Sequence, residues 1–297
     1  ICKRAGVEYY EMAHLFTQWG ALYTPKIMAT VDGTYKRIFG WDVSATSDEY
    51  KAFVAEYLPA LREVLRREGI EQNTYFHISD EPSGEHIEAY KAARKVVEPY
   101  LKGCIIMDAL SEYAFYESGA VTKPVPANNA IEPFLEHKVP GLWTYYCIGQ
   151  YKDVSNLFMA MPSARARIFA EQLYKYHIEG ILQWGYNFYN SQYSRYAVNP
   201  FEHTDADGFT LSGDAFQVYP GPDGKPLESI RLMVILHMLQ DLRAFEMLEG
   251  LTSYEYVMGL MEDGLDQPIT FSRYPRSDGY ILNLRERVNR EIMSRMG

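Results

Sequence analysis

Cysteine is scarce in this chain of 297 residues, with Cys2, Cys104 and Cys147 the three present. Three thiols so far apart make neither a disulfide framework nor the paired spacing of a zinc site, and the last two lie in apolar, strand-like runs, so they read as core thiols. Basic clusters are lacking as well. Lys and Arg number 29 against 39 Asp and Glu, for a net charge of −10, and no block of either cation occurs. That balance argues against a phosphate-tracking surface, and so against nucleic acid as a partner. No apolar run reaches the roughly 20 residues that a membrane span requires. No basic segment followed by an apolar one opens the chain, which starts at Ile1 inside what reads as the end of a helix, Ile1 to Ala5, closed by Gly6. A leader or an upstream domain is compatible with such a start. Fixed-length repeats and low-complexity linkers are also absent, and no cofactor motif is found.

What is present suits a large buried core: 47% of the residues are hydrophobic, and the length allows one large domain or two small ones. Strand-like and helix-like segments alternate from Val7 to Trp184. Six strands are expected, near residues 9, 76, 105, 126, 144 and 183, the first from Val7 to Ala13. Alternation of this kind points to parallel βα units. Lys26 to Trp41 carries an Asp32-Gly33 pair and reads as a hairpin. Ser47 to Arg67 has Val54, Leu58, Leu61 and Leu65 at helical spacing, with a kink expected at Pro59 and a stop at Gly69. Pro162 and Ser163 open a helix through Tyr176, which Gly180 is expected to stop. Residues 199 to 226 read as a long loop. The helix that follows, 227 to 248, shows Ile230, Val234, Met238, Phe245 and Leu248 on one face.

The chain is organised around Tyr75-Phe76-His77-Ile78-Ser79-Asp80-Glu81-Pro82, a buried strand that ends in two adjacent carboxylates before a helix. The carboxyl ends of parallel strands are where α/β folds build sites. An acidic pair before a proline is also an ordinary helix start, favoured by the helix dipole. The aromatic content, 25 Tyr, 14 Phe and 4 Trp, lies much in expected loops, where rings stack on the apolar faces of sugars as readily as they pack against helices. Asp-Ala-Asp-Gly at 205 to 208 has the look of a calcium loop but lacks its remaining ligands and closing Glu, so no metal is assigned.

Four segments together carry a resemblance: Tyr75 to Pro82, Trp-Thr-Tyr-Tyr at 143 to 146, Trp-Gly-Tyr-Asn-Phe-Tyr-Asn at 184 to 190, and Gly213 to Arg231. In these the chain resembles the catalytic domain of glycoside hydrolase family 123 from His14 to about Leu251. The resemblance implies a (β/α)8 TIM-type barrel, usually preceded by a β-sandwich domain, that acts on terminal β-linked N-acetylgalactosamine. Val7 to Ala13 would then be the third barrel strand, with the first two expected upstream of Ile1. Residues 1–251 would form the barrel and 252–297 a helical extension packed on it. A secreted or periplasmic setting is also implied.

Under that resemblance the family's Asp-Glu pair maps onto Asp80 and Glu81. Adjacent side chains do not flank a sugar as two catalytic carboxylates ordinarily do. The strand from Leu142 to Ile148 likewise runs on with no acid before Asp153. A 2-acetamido group removes that need, because its carbonyl oxygen can attack the anomeric carbon and form an oxazolinium ion. Glu81 would be the general acid and base, and Asp80 would orient the acetamido N–H and stabilise the ring charge. The expected carbohydrate contacts are His14, Asn128, Trp143, Tyr145, Tyr146, Trp184, Tyr186 and Asn187, each aromatic having core packing as its competing reading. His77 reads as a satisfied core histidine, and Asp108 and Asp207 are second-rank site candidates for which a structural role is the favoured reading. A carbohydrate-binding or scaffold module on a barrel that no longer turns over is the alternative to an enzyme.

Overall fold

The computed structural model describes residues 1–297 and falls into two compact units, Ile1–Pro126 and Ala127–Gly297. In the first unit β1 (Tyr10–Glu11) precedes an antiparallel hairpin of β2 (Ile27–Val31) and β3 (Thr34–Phe39). Asp32 and Gly33 take φ of 49° and 77° at its tip. Two consecutive positive φ values define the hairpin turn whose twist matches that of the strands, and Asp-Gly adopts it at little cost. Helix α1 (Asp48–Arg67) starts at Ser47, whose hydroxyl accepts the Tyr50 N–H at 3.2 Å. It buries Tyr50, Val54, Leu58 and Leu65, a single stripe at helical spacing. Gly69, at φ 70°, closes the helix as expected. Pro59 lies inside α1 on its exposed side, and the helix continues past it as one element.

Strands β4 (Thr74–Phe76), β5 (Ile105–Leu110) and β6 (Lys123–Pro126) complete a parallel sheet in the order β1-β4-β5-β6, with α2 (Ile87–Val97) and α3 (Ala114–Glu117) in the crossovers. Every residue of β4 is buried, which is why it reads as a continuous apolar run rather than an alternating one. The expected first strand is shorter than Val7 to Ala13, because β1 pairs regularly at Tyr10 and Glu11 alone. The chain nonetheless keeps beside the next strand: Met12, Leu15 and Phe16 donate their N–H groups to the carbonyls of Tyr75, His77 and Ile78.

In the second unit, after α4 (Glu132–Glu136), β7 (Trp143–Tyr145) and β8 (Gly180–Leu182) pair in parallel across a helical segment that Ile168 divides into α5 (Ala164–Arg167) and α6 (Phe169–Lys175). All six expected strands therefore form, and their pairings are two parallel sheets rather than a closed ring. Gly180 has a different role from the one expected. The helix already ends before His177, at φ 50°, and Gly180 opens β8, where a Cβ would lie 2.2 Å from the Trp143 indole. The glycine is required by close approach, not by a helix end.

The stretch read as a long loop also holds an antiparallel pair, β9 (Val218–Pro220) with β10 (Pro226–Glu228). Helix α7 (Ile230–Leu251) follows the Ser229 cap and buries Met238, Asp241, Ala244, Phe245 and Leu248, whereas Ile230, expected on that face, is 80% exposed. Two further helices, α8 (Tyr254–Glu262) and α9 (Asp278–Met296), pack with α7. The buried Asp241 carboxylate accepts Arg167 Nε at 2.6 Å and Arg285 Nη1 at 2.6 Å, tying α5, α7 and α9 through one charge. Two guanidinium partners compensate the desolvation that would otherwise make such a carboxylate costly. No helix is long and apolar enough to cross a membrane.

Candidate active site

In the first unit the chain leaves β4 through His77, Ile78 and Ser79, all buried, and reaches half-buried Asp80 and Glu81 at the carboxyl end of the parallel sheet. Glu81 has φ 45° and donates its N–H to the Ala109 carbonyl at 3.0 Å. A left-handed glutamate is disfavoured by about 1 kcal/mol or more, so the surrounding contacts must impose it. Pro82 is buried behind it, and Ser83 and His86 close a reciprocal cap at the start of the next helical turn. The ordinary cap is thus supplied by Ser83 and His86, which leaves the two carboxylates outside it. Asp80 Oδ2 accepts Gln18 Nε2 at 2.8 Å, and the Asp80 carbonyl accepts the Trp19 N–H at 2.8 Å.

Next to this turn lies a cluster built on His77, read from the sequence as a core histidine, and on His14, expected there as a carbohydrate contact. His77 Nε2 is 2.9 Å from Glu11 Oε1, and Nδ1 is 3.4 Å from Asp108 Oδ1. Burial opposes the charge on His77, but the two carboxylates outweigh it and push its pKa up to about 9. The His14 ring lies tilted against that of His77, with centroids 4.8 Å apart. Burial and the His77 charge hold it below the usual histidine range, with Asp80 acting in the opposite sense. His14, His77 and Asp108 present potential metal-ligand atoms within 4.8 Å of one another. The oxygens of Asp108 already accept the Ile78 and Ser79 N–H groups and the Tyr90 hydroxyl, so the arrangement suits an ion pair better than a cation site.

In the second unit the expected contacts divide by exposure. Trp184 and Tyr186 are 39% and 51% exposed, Asn187 is exposed, and Trp143 is half-buried over Gly180. Tyr145 and Tyr146 are buried; Tyr146 meets Phe169 edge-on, as core packing would have it. Asn128 is buried and donates Nδ2 to the Ser155 carbonyl at 2.8 Å. Asp207 is exposed and occupied by Tyr196 and His203.

Asp214 had no role in the sequence reading. It is fully buried, accepts Trp184 Nε1 at 3.0 Å through Oδ2, and has no hydrogen-bond partner at Oδ1. Gly185 makes the approach possible, since a Cβ there would sit 2.3 Å from the Asp214 carbonyl oxygen. Burial pushes the Asp214 pKa up to about 7 against the lowering effect of the indole N–H. The signal available was its place in the Gly213 to Arg231 motif, but nothing local couples it to a tryptophan 30 residues away.

A carboxyl group whose folded pKa lies above its unfolded one binds more protons folded than unfolded between those values. Asp214 therefore costs stability increasingly as pH rises from about 4 to about 7. Asp214→Asn keeps an acceptor for the indole N–H and removes the titration. It is expected to gain about 2–4 kcal/mol over wild type at pH 8 relative to the same comparison at pH 4. Urea denaturation at the two pH values measures this, and a pH-independent difference would refute it.

Adjacent carboxylates on a left-handed turn at the carboxyl end of a parallel strand give this α/β chain a pair of partly exposed acids. The family comparison makes the class specific. The sequence model of the glycoside hydrolase 123 catalytic domain matches residues 1–248, and the chain belongs to that family. Among solved structures, a family 123 glycoside hydrolase from Clostridium perfringens, analysed for glycolipid glycan hydrolysis, aligns with a TM-score of 0.58 at 16% identity. The alignment covers 91% of this chain and 48% of that one, so this chain spans about half its length. No curated protein matches.

Proposed function

We propose that this glycoside hydrolase releases terminal β-linked N-acetylgalactosamine with retention of configuration, using the substrate's acetamido group as nucleophile. The observation that carries the reading is the adjacent Asp80–Glu81 pair on its strained turn. Two neighbouring side chains do not ordinarily flank the anomeric carbon as acid and nucleophile, whereas substrate assistance asks for an acid at the leaving oxygen and a carboxylate at the acetamido N–H. Glu81 donates its proton to the glycosidic oxygen as the C1–O bond breaks and the acetamido oxygen bonds C1. It then takes a proton from the water that opens the oxazolinium ring and regenerates the sugar. Asp80 stays ionised, accepts the acetamido N–H and balances the ring charge.

In this reading Gln18 Nε2, now on Asp80 Oδ2, stands where a substrate N–H would arrive. His14 in the first unit, and Trp143, Trp184, Tyr186 and Asn187 in the second, are the polar and aromatic groups offered for sugar contact. The same reading takes residues 1–251 as the catalytic domain and its complete fold as a (β/α)8 barrel, as the family resemblance implies. The Clostridium perfringens protein makes glycolipid-type glycans the natural substrates to try first. A panel of chromogenic β-glycosides, 2-acetamido and 2-hydroxy in both galacto and gluco series, tests the proposal. Turnover confined to the acetamido sugars, fastest for galacto, supports it. Equal turnover of the 2-hydroxy sugars removes substrate assistance, and binding without turnover across the panel favours a carbohydrate-binding module.

A further inference from the structure

We propose that Asp108, His77 and Glu11 form a charge-paired strut that holds the Asp80–Glu81 turn in its reactive geometry, with His77 as the positioning residue. The inference rests on the reading that Asp80 and Glu81 do the chemistry. The regular β4–β5 ladder ends with Phe76 opposite Ile106. Past that point a side chain takes over its role: Asp108, on β5, accepts the Ile78 N–H at 3.0 Å and the Ser79 N–H at 3.3 Å. The Glu81 N–H reaches the Ala109 carbonyl on the same strand, and Ser79 Oγ donates to the Thr17 carbonyl at 2.7 Å. On the β5 side the backbone leading into the acid pair is therefore held by the Asp108 carboxylate and the Glu81–Ala109 bond, while the N–H groups of Leu15, Phe16 and Trp19 hold its other edge.

That carboxylate is fully buried, and it can keep its charge there only with a counter-charge and donors around it. The His77 imidazolium supplies the counter-charge from β4's continuation, and Tyr90 of α2 donates its hydroxyl. Glu11, at the end of β1 with a side chain 46% exposed, meets the other nitrogen of His77. The His14 ring lies tilted against the same ring, its pKa held down by burial and by the His77 charge while Asp80, Asp108 and Glu11 act in the opposite sense. Loss of the His77 proton would leave Asp108 without its counter-charge and relax the Ile78 and Ser79 hydrogen bonds. The acid pair would then lose orientation without losing its own ionisation.

The consequence is an alkaline limit on turnover that belongs to His77, near pH 9. Glu11→Gln removes one of its two counter-charges and should move that limit down by about 1 unit, with kcat at pH 6 within about threefold of wild type and KM little changed. The full-length chain is assayed on an aryl 2-acetamido glycoside from pH 5 to 10. In parallel, ¹⁵N-labelled histidine is titrated by NMR on the same proteins. Support is a wild-type His77 protonated through pH 8, with the resonance and the kcat limb moving together in Glu11→Gln. A His77 neutral at pH 7, or a limb that stays put in folded Glu11→Gln, overturns the strut. A chain that turns over nothing refutes the functional reading instead, and the NMR titration still decides the strut.

Discussion

Glu81→Gln is expected to lose about 10²–10⁴-fold in kcat/KM on glycosides with poor leaving groups, and far less on activated aryl glycosides. The asymmetry follows from the role proposed for the carboxyl. An alkoxide leaving group cannot depart without a proton, whereas an activated phenolate departs on its own. Glutamine fills the same volume and retains an amide that can hydrogen-bond, so the left-handed backbone at Glu81 and its N–H bond to Ala109 are preserved. With activated substrates the second half-reaction, in which water opens the oxazolinium ion, becomes limiting, and a nucleophile such as azide should restore part of the rate without needing a base. Equal losses on both classes of leaving group would remove Glu81 from the acid role.

Asp80→Asn is expected to cost about 10²–10³-fold in kcat, the scale of removing one preorganised electrostatic partner of a developing charge. The sharper measurement uses an N-acetylgalactosamine-derived thiazoline, a stable mimic of the cyclised intermediate. A site complementary to that charged bicycle should bind it far more tightly than it binds the sugar product. The affinity should collapse in Asp80→Asn and survive in larger part in Glu81→Gln, because the ring nitrogen faces Asp80. Gln18 remains on the asparagine side-chain oxygen in the variant, so the turn keeps its anchor and the loss reports charge. Thiazoline binding that is no tighter than product binding would sink the substrate-assisted mechanism.

Much of the framework was legible because its causes are local. Parallel strands buried on both faces favour apolar runs, which is how Tyr75–Phe76 and the run up to Met107 announce themselves, although β5 continues through buried Asp108 to Leu110. Asp32-Gly33 and Ser47 act through their own backbone and nearest neighbours, so a hairpin and a helix start follow from them directly. Gly180 misleads for the same reason: a glycine after a helix suggests a stop, and the indole of Trp143 that it accommodates lies on another strand.

Residue order and side-chain chemistry by themselves determined the six parallel strands, the hairpin, and the adjacency of Asp80 and Glu81, and with the family's motifs they marked that pair as the acids to examine. Tertiary structure alone decided which polar groups support them. His77 reads as a core histidine until Glu11 and Asp108, from two other strands, meet its two nitrogens. Asp214 reads as a loop acid until folding seals it beneath the Trp184 N–H. A charge's protonation depends on what surrounds it within a few ångströms, and those surroundings are assembled from segments that the linear chain keeps tens of residues apart.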